Sequence, residues 1–493
     1  MEYIGISTGF HDASVSVINN KGDILFAGHS ERYSKNKHDK ELCLPLIYDA
    51  FKQVSDKFEL HYYEKPWLKY LRQLRSGEKP ALRNLSVNDS IGAAFLRVMN
   101  SQKVYTHGHH LSHAAAGFQT CTFADATVVI IDAIGEFDTI SIWDARYIDG
   151  KATYKKLWGK KYPDSIGLFY SAMTKRVGLR PLDEEYILMG MAAHGKPTLV
   201  NAMRDILLDN DSNIDFKENL HIGVREDFLA SANDMDIAAS SQLLVEEMIR
   251  TVMLQAKVLG KSNNLVYGGG VALNCLANRH LGHYYDNIWI MPNPGDSGSS
   301  LGAAALGYQK PLNWINSYLG HDILGEYPVD TILQHLLNDK IVGVASGRAE
   351  FGPRALGNRS LLADPRGKDI KDKVNAIKRR QKFRPFAPVI MEEYANQYFR
   401  FPRNWDNSRY MQVIARCRNP DWFPAIVHVD GTSRVQTVPN DRSGIRKLLE
   451  KWYAETNCPM LLNTSLNIRG EPMVNDRADA DRFQSLYGIK VLS

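Results

Sequence analysis

Three times in its first 300 residues the chain runs from an apolar strand into a turn built on glycine. The turns are Gly9-Phe10-His11-Asp12-Ala13-Ser14, Gly268-Gly269-Gly270-Val271-Ala272-Leu273-Asn274 and Gly295-Asp296-Ser297-Gly298. Glycine lets a backbone pass close to a ligand, and a helix that starts just beyond the turn favours an anion at its N-terminus. Each turn alone also serves as ordinary punctuation. Three in one region fit a split cleft in which turns from two lobes grip phosphates.

The segments between the turns read as strands and long helices. Residues 3–8, 14–18 and 23–27 alternate as a β-meander, turning at Asn19-Asn20-Lys21-Gly22. Residues 41–100 show helical periodicity broken by Pro66 and Pro80, which predicts a helical insertion. Residues 128–131 form a short apolar strand ending on Asp132, with 139–143 as its hairpin partner. Residues 236–259 carry an amphipathic stripe of Ile237, Leu244, Met248, Val252 and Leu259. Residues 264–267 form a strand that enters the glycine triplet. The pattern loosens between 318 and 330, then restarts with a helix at 331–338 and a strand at 341–345. The chain's 493 residues suffice for two cores. The expected domains are 1–325, an α/β body of the two-lobed actin, Hsp70 and sugar-kinase kind, and 326–493, an α+β unit.

His109 and His113 stand at i and i+4 in His-His-Leu-Ser-His. On a helix this places both imidazoles on one face, where they can share an ion. A bare pair of this spacing is more often a helix with surface histidines. Asp132 closes an apolar strand and Asp296 sits in the third glycine turn. Two imidazoles with two carboxylates suit Fe(II), Zn or Mn, although either aspartate can equally serve as a turn or cap residue.

The net charge of +5 is unevenly placed. Residues 348–384 hold twelve cations and four anions, a local +8, and the rest of the chain carries −3. Within this stretch Gly347-Arg348-Ala349-Glu350-Phe351-Gly352-Pro353-Arg354-Ala355-Leu356-Gly357-Asn358-Arg359-Ser360 sets three arginines among glycines and small residues. Guanidinium forks beside accessible backbone N–H groups suit a compact polyanion. A solvated basic face would alternate with acids. A nucleic-acid surface would interleave more aromatics than Phe351, Phe383 and Phe386. A pocket for a small anion is therefore the favoured reading.

No apolar run approaches the ~18 residues of a membrane span. Met1 to Ile6 reads as a strand without a basic leader, so a cleaved signal is not expected. The five cysteines are scattered and never CxxC, which points to reduced thiols in a cytoplasmic setting and no structural zinc. The segments singled out hold no GxSxG, P-loop or HExxH, and Cys275 reads as a packing residue.

Taken together, GFHDAS (9–14), ERYSKNKHD (31–39), HHLSH (109–113), IDAIGE (131–136), SIGLFYSAMT (165–174), GGGVALN (268–274), GDSGSSLGAA (295–304), GRAEFGPRALGNRS (347–360), FRPFAPV (383–389), DGTSRVQTV (430–438) and LNTSLN (462–467) resemble the NodU/CmcH-type O-carbamoyltransferases, in order and over nearly the whole chain. The resemblance implies a first domain similar to the kinase-like domain of threonylcarbamoyladenosine synthases and a second, YrdC-like domain. Carbamoyl phosphate and ATP, with Mg, would give carbamoyl adenylate and pyrophosphate in the second domain. The first would pass the carbamoyl group to a hydroxyl of a small molecule and release AMP. On this reading His109, His113, Asp132 and Asp296 match the ligands of a divalent metal, Fe(II) ahead of Mn or Zn. Arg348, Arg354, Arg359, Lys378, Arg384 and Arg434 match anion-binding positions, and Asn463 and Ser465 would hold the carbamoyl group. Gly269, Gly270 and Asn274 would line the nucleotide cleft. His11, beside Asp12, is the candidate base, and Lys37 and Glu136 are candidates for acceptor or phosphate contacts.

The sequence departs from the family pattern in three places. Ala133 stands where a glycine follows the metal aspartate, Ile187 replaces a lysine, and Leu466 replaces a phenylalanine. If the turn after Asp132 needs positive φ, Ala133 costs on the order of 1 kcal/mol. If the lysine contacts phosphate, that contact is lost at Ile187. Two other functions remain on the same scaffold: a tRNA threonylcarbamoyl transferase and a non-catalytic nucleotide-binding regulator. The acceptor classes are an aminoglycoside or other sugar, a polyketide, a cephem, or a hydroxymethylated nucleobase or nucleotide. Nucleic acid itself and a membrane are not expected partners, and a homodimer is plausible for this family.

Overall fold

The computed structural model describes residues 1–493 apart from 56, 93–102, 210–213, 368, 382 and 385. The chain divides into two units, Met1–Ala27 with Lys40–Trp314 and Gly28–Asp39 with Ile315–Ser493.

The first unit contains two five-stranded sheets. Strands β1 (Glu2–Ser7), β2 (Ser14–Asn19), β3 (Ile24–His29), β4 (Phe58–Tyr62) and β5 (Val104–Thr106) lie in the order β3-β2-β1-β4-β5. β1 runs antiparallel to β2, with Ile4 opposite Val17, and parallel to β4, with Ile4 beside Leu60. Strands β6 (Asp125–Gly135), β7 (Asp138–Ile148), β8 (Lys151–Lys161), β9 (Asn264–Gly268) and β10 (Asn287–Trp289) lie in the order β10-β9-β6-β7-β8. β6 is antiparallel to β7 and parallel to β9. Each sheet therefore has its first strand in the middle, a meander on one side and two parallel strands on the other. The repetition of this plan is the two-lobed architecture expected from the glycine turns.

Parallel strands cannot be joined by hairpins, so helices fill the crossovers. Helix α1 (His109–Phe118) connects β5 to β6, α2 (Asp234–Leu259) precedes β9, and α3 (Ser299–Tyr308) follows β10. Helix α3 opens Ser-Ser-Leu-Gly-Ala-Ala-Ala, and all seven residues are buried. The small side chains let it pack closely against α1. A Cβ on Gly302 would overlap the Ser112 carbonyl.

In the second unit a six-stranded sheet runs in the order Gln436–Val438, Ala387–Met391, Met460–Ser465, Arg359–Ala363, Ile341–Ala345, Val491–Leu492. Alternate residues enter two separate cores, as a pleated strand requires. Leu361, Ile390 and Leu462 face one core, and Leu362, Val389 and Leu461 face the other. Helices Val329–Asp339 and Gly444–Thr456 supply Leu336 and Trp452 to the second core. Ile370–Lys378 and Arg477–Tyr487 supply Val374 and Phe483 to the first. This is the expected α+β unit.

Several details depart from the sequence reading. The expected helical insertion at 41–100 contains β4, an inner strand of the first sheet. Its five residues are too short to show a period against the helices around them. The end of that insertion, 93–100, Lys368 and Lys382 of the basic stretch, and Pro385 just beyond it lie outside the described residues. Strand β8 was not expected; its Lys-rich sequence alternates weakly because it lies at a sheet edge. The units divide at 314/315 rather than 325/326, because Tyr318–Ile323 pairs antiparallel with Gly347–Glu350. Residues 28–39 also group with the second unit, where buried Arg32 donates to the Gly352 carbonyl at 2.7 Å. No helix among the described residues is long and apolar enough to cross a membrane, and none of the five cysteines forms a disulfide.

Candidate metal centre

Helix α1 starts at His109 directly after Gly108, and all ten of its residues except Leu111 are buried. One turn along, His113 projects from the same face. Strand β6 carries Asp132 to the same point, and the turn before α3 brings in Asp296. The four side chains converge: one ligand atom from each lies within 4.8 Å of all the others. His109 Nε2 and His113 Nε2 are 3.1 Å apart, and each lies 3.3 Å from Asp132 Oδ2 and 3.3 Å from Asp296 Oδ1. All four residues are buried.

The surrounding backbone fixes this arrangement. The second Asp132 oxygen, Oδ1, accepts hydrogen bonds from the Ala133 N–H at 2.8 Å and the Gly270 N–H at 3.2 Å. This turns Oδ2 into the cluster. Gly269 has φ +86°, and a Cβ there would collide with the Ile131 carbonyl. The glycine triplet thus packs against β6 and holds the aspartate. Ala133 is not among the residues with positive φ, so the strain considered for it does not arise. Glu136 takes that conformation instead, at φ +59°.

Two buried carboxylates face each other across the imidazoles, and the site demands positive charge. Burial disfavours a charged His109, yet Asp296, Asp132 and Glu64 outweigh burial and hold its pKa well above the ordinary value. Burial likewise opposes the ionised form of Asp296, but His109 and His11 bring its pKa down to about 2. The donor set, two imidazole nitrogens and two carboxylate oxygens in a dry pocket, fits a borderline divalent ion as well as it fits shared protons.

His11 lies beside the cluster. Its Nδ1 is 2.8 Å from Asp12 Oδ2 and its Nε2 is 3.6 Å from Asp296 Oδ2. Burial lowers its pKa, but Asp296 and Asp12 carry it up to about 9. Glu136 accepts the Lys65 N–H at 2.6 Å, and burial pushes its pKa up to about 7. It lines a cavity of about 110 Å³ together with Phe10, Tyr63, His109 and Asp296. Asn274 faces inward: its amide exchanges hydrogen bonds with Gln242 at 3.0 and 3.1 Å and caps the Ala277 N–H. Lys37 belongs with the second unit, where its charge helps depress Lys378.

The anion-binding candidates of the second unit have different surroundings. Arg359 is fully buried and donates to the carbonyls of Asn475, Ser346, Gly347, Asn358 and His321, so its guanidinium ties loops together. Arg348 leans on the Leu319 carbonyl at 2.5 Å. Lys378 donates to the Ser465 carbonyl at 2.6 Å and to Asn467 Oδ1, and burial followed by Arg380 and Arg384 lowers its pKa well below the usual range. Asn463 donates to the Ala355 carbonyl at 3.1 Å and to Gln436 Oε1 at 2.7 Å, while its own Oδ1 is buried with no hydrogen-bond partner. Arg434 Nε is likewise buried and unpaired. Arg354 and Arg384 are half-buried. Of this set, Asn463 and Arg434 have buried polar atoms without a hydrogen-bond partner.

Sequence reasoning missed Glu64, Lys69 and Ser299, which back the histidines. Glu64 lies two residues beyond β4, a strand that was itself not recognised, and Ser299 reads as one more small residue of α3. Of the family departures, Ile187 lies buried in the helix Glu185–Met191, and Leu466 is fully buried in the second unit's core.

Residues 49–305 match the family described as Carbamoyltransferase N-terminus, and residues 333–493 match Carbamoyltransferase C-terminus. An uncharacterized protein of Synechocystis sp. is 31% identical over 97% of this chain and 93% of its own length. The nodulation protein NolNO of Sinorhizobium fredii is 29% identical over 96% of this chain and 76% of its own length. Among solved structures, the activator of 2-hydroxyisocaproyl-CoA dehydratase from Clostridium difficile aligns at 14% identity with a TM-score of 0.36, covering 62% of this chain and 94% of its own.

Proposed function

Because the chain belongs to the carbamoyltransferase family, matched at both its N- and C-terminal parts, we propose that it is an ATP-dependent O-carbamoyltransferase acting on a small-molecule hydroxyl. The observation that carries this reading is the buried convergence of His109, His113, Asp132 and Asp296 in the part matched to the N-terminal family. In the second unit, carbamoyl phosphate and ATP give carbamoyl adenylate and pyrophosphate. Atom balance adds one water consumed and one orthophosphate released. The first unit then transfers the carbamoyl group to the acceptor and AMP leaves.

The roles of the residues follow from their surroundings. Arg354, Arg384 and Arg434 neutralise phosphate charge, which attack at phosphorus requires. The unpaired Oδ1 of Asn463 accepts from the carbamoyl amide, whose N–H groups need an acceptor. Arg348 and Lys378 support the walls of this pocket through the carbonyls they hold. In the first unit the four-residue cluster would hold the metal, which when bound supplies Lewis acidity and a template for the adenylate phosphate. His11, held through Nδ1 by Asp12, takes the proton of the acceptor hydroxyl. Glu136 faces the cavity beside the cluster and receives the acceptor hydroxyl. The reaction takes place in the cytoplasm, in keeping with cysteines that form no disulfide.

The test is pyrophosphate release by the purified, Mn(II)-loaded protein. Release that requires both ATP and carbamoyl phosphate supports the proposal. A folded protein that releases none contradicts it.

A further inference from the structure

The two histidines of the cluster are backed differently. His113 Nδ1 lies 3.1 Å from the Ser299 hydroxyl. His109 Nδ1 is buried without a hydrogen-bond partner, and Glu64 Oε2 faces it at 3.7 Å. Glu64 is itself only 3% exposed. A buried carboxylate is costly unless it is paired. Its other oxygen, Oε1, accepts a hydrogen bond from Lys69 Nζ at 2.8 Å. Lys69 also reaches the Gly9 carbonyl at 3.4 Å and lies 5.7 Å from the centre of the Phe10 ring. The Glu64–Lys69 pair therefore joins the back of His109 to the turn that carries His11 and Asp12.

We propose that Glu64, held in place by Lys69, is a positioning residue that fixes the tautomer and orientation of His109 for metal binding. The inference rests on the reading of the cluster as a metal centre. A neutral imidazole has one ring proton. When Nε2 turns its lone pair toward the position shared with Asp132 and Asp296, that proton sits on Nδ1. Glu64 Oε2 is the carboxylate oxygen facing it. At 3.7 Å the pair is at ion-pair rather than hydrogen-bond distance, and a small rotation of the Glu64 carboxylate shortens it. A carboxylate behind a ligating imidazole raises its basicity, whereas a hydroxyl such as that of Ser299 orients the ring and does less to its electronics. His109 is thereby the stronger imidazole ligand of the two, and the buried charge of Glu64 has a use that packing alone does not supply.

Co(II) is the probe, bound to the full-length protein in competition with a chromophoric chelator and followed by its visible absorption band. Glu64→Gln keeps the shape and removes the charge. It is expected to weaken Co(II) binding by about 10- to 100-fold and to shift the band, with circular dichroism unchanged. Lys69→Met should weaken binding less, and Ser299→Ala less again. If Glu64→Gln fails to fold, Glu64→Asp carries the same test, because the shortened side chain lengthens the gap to Nδ1. Wild-type affinity and an unshifted band in the folded Glu64 variant, in a protein whose His109→Ala variant loses Co(II), would overturn the positioning role. If His109→Ala also binds Co(II) like the wild type, the metal-centre reading falls instead.

Discussion

The histidine–aspartate cluster of the first unit and the arginine-rich segment of the second both concentrate charged side chains, and the fold treats them in opposite ways. In the first unit four residues from three separate stretches, a helix, a strand and a turn, have ligand atoms brought within 4.8 Å of one another. In the second, residues adjacent in sequence are dispersed. Arg359 turns into the core and binds five carbonyls, Arg348 leans on a neighbouring strand, and Arg354 stays half-buried. Charge density along a sequence therefore says little about which charges meet a ligand. The first site is held by turns that orient carboxylates, whereas in the second Arg359 and Arg348 are taken up by backbone carbonyls.

The largest expected effect comes from removing a cluster ligand. His109→Ala or Asp296→Asn should cost more metal affinity than the ~10–100-fold typical of an outer-shell partner. Metal content of the purified variants checks this. Carbamoyl-phosphate-dependent pyrophosphate release, assigned to the second unit, should survive. Arg359→Leu should instead act on folding, because orphaned buried acceptors cost ~1–3 kcal/mol each. A loss of several kcal/mol of unfolding free energy is expected, read as a lower denaturation midpoint. By contrast, Arg354→Ala should raise the KM for ATP and leave that midpoint in place. If the two arginines behaved alike, the distinction between wall and pocket would collapse.

Smaller effects probe the departures from the family pattern. Ile187 is buried, so Ile187→Lys should destabilise the first unit by about 2 kcal/mol or more, without raising activity. A gain in activity would mean that the position faces phosphate after all. Ala133 is free of positive φ, so Ala133→Gly should bring only the ~0.5–1 kcal/mol loss of a glycine within a strand. Equilibrium unfolding in urea measures both.

The grouping of His109, His113, Asp132 and Asp296 was legible because its parts lie where sequence patterns are strongest: an i, i+4 pair on a helix, the end of an apolar strand and a glycine turn. The glycine turns were legible too, and they have a use that the sequence did not show. Gly270 donates its N–H to Asp132, and Gly269 clears the Ile131 carbonyl, so the triplet positions a carboxylate. The supporting residues were not legible. Glu64 follows a five-residue strand whose pairing partner, β1, lies more than fifty positions away, and no local period reveals such a contact. Arg359 misleads for a related reason: the carbonyls that take up its donors come from residues 321, 346–347, 358 and 475. The domain boundary moved because Tyr318–Ile323 pairs forward in the chain, which composition does not register.

The most direct single measurement is pyrophosphate release from ATP by wild-type protein and His109→Ala, each with and without carbamoyl phosphate. The expected result is release that requires carbamoyl phosphate in both proteins, at rates within a few-fold of each other. Absence of release from folded wild-type protein, or its loss in His109→Ala, would contradict the assignment of carbamoyl activation to the second unit and metal-dependent transfer to the first.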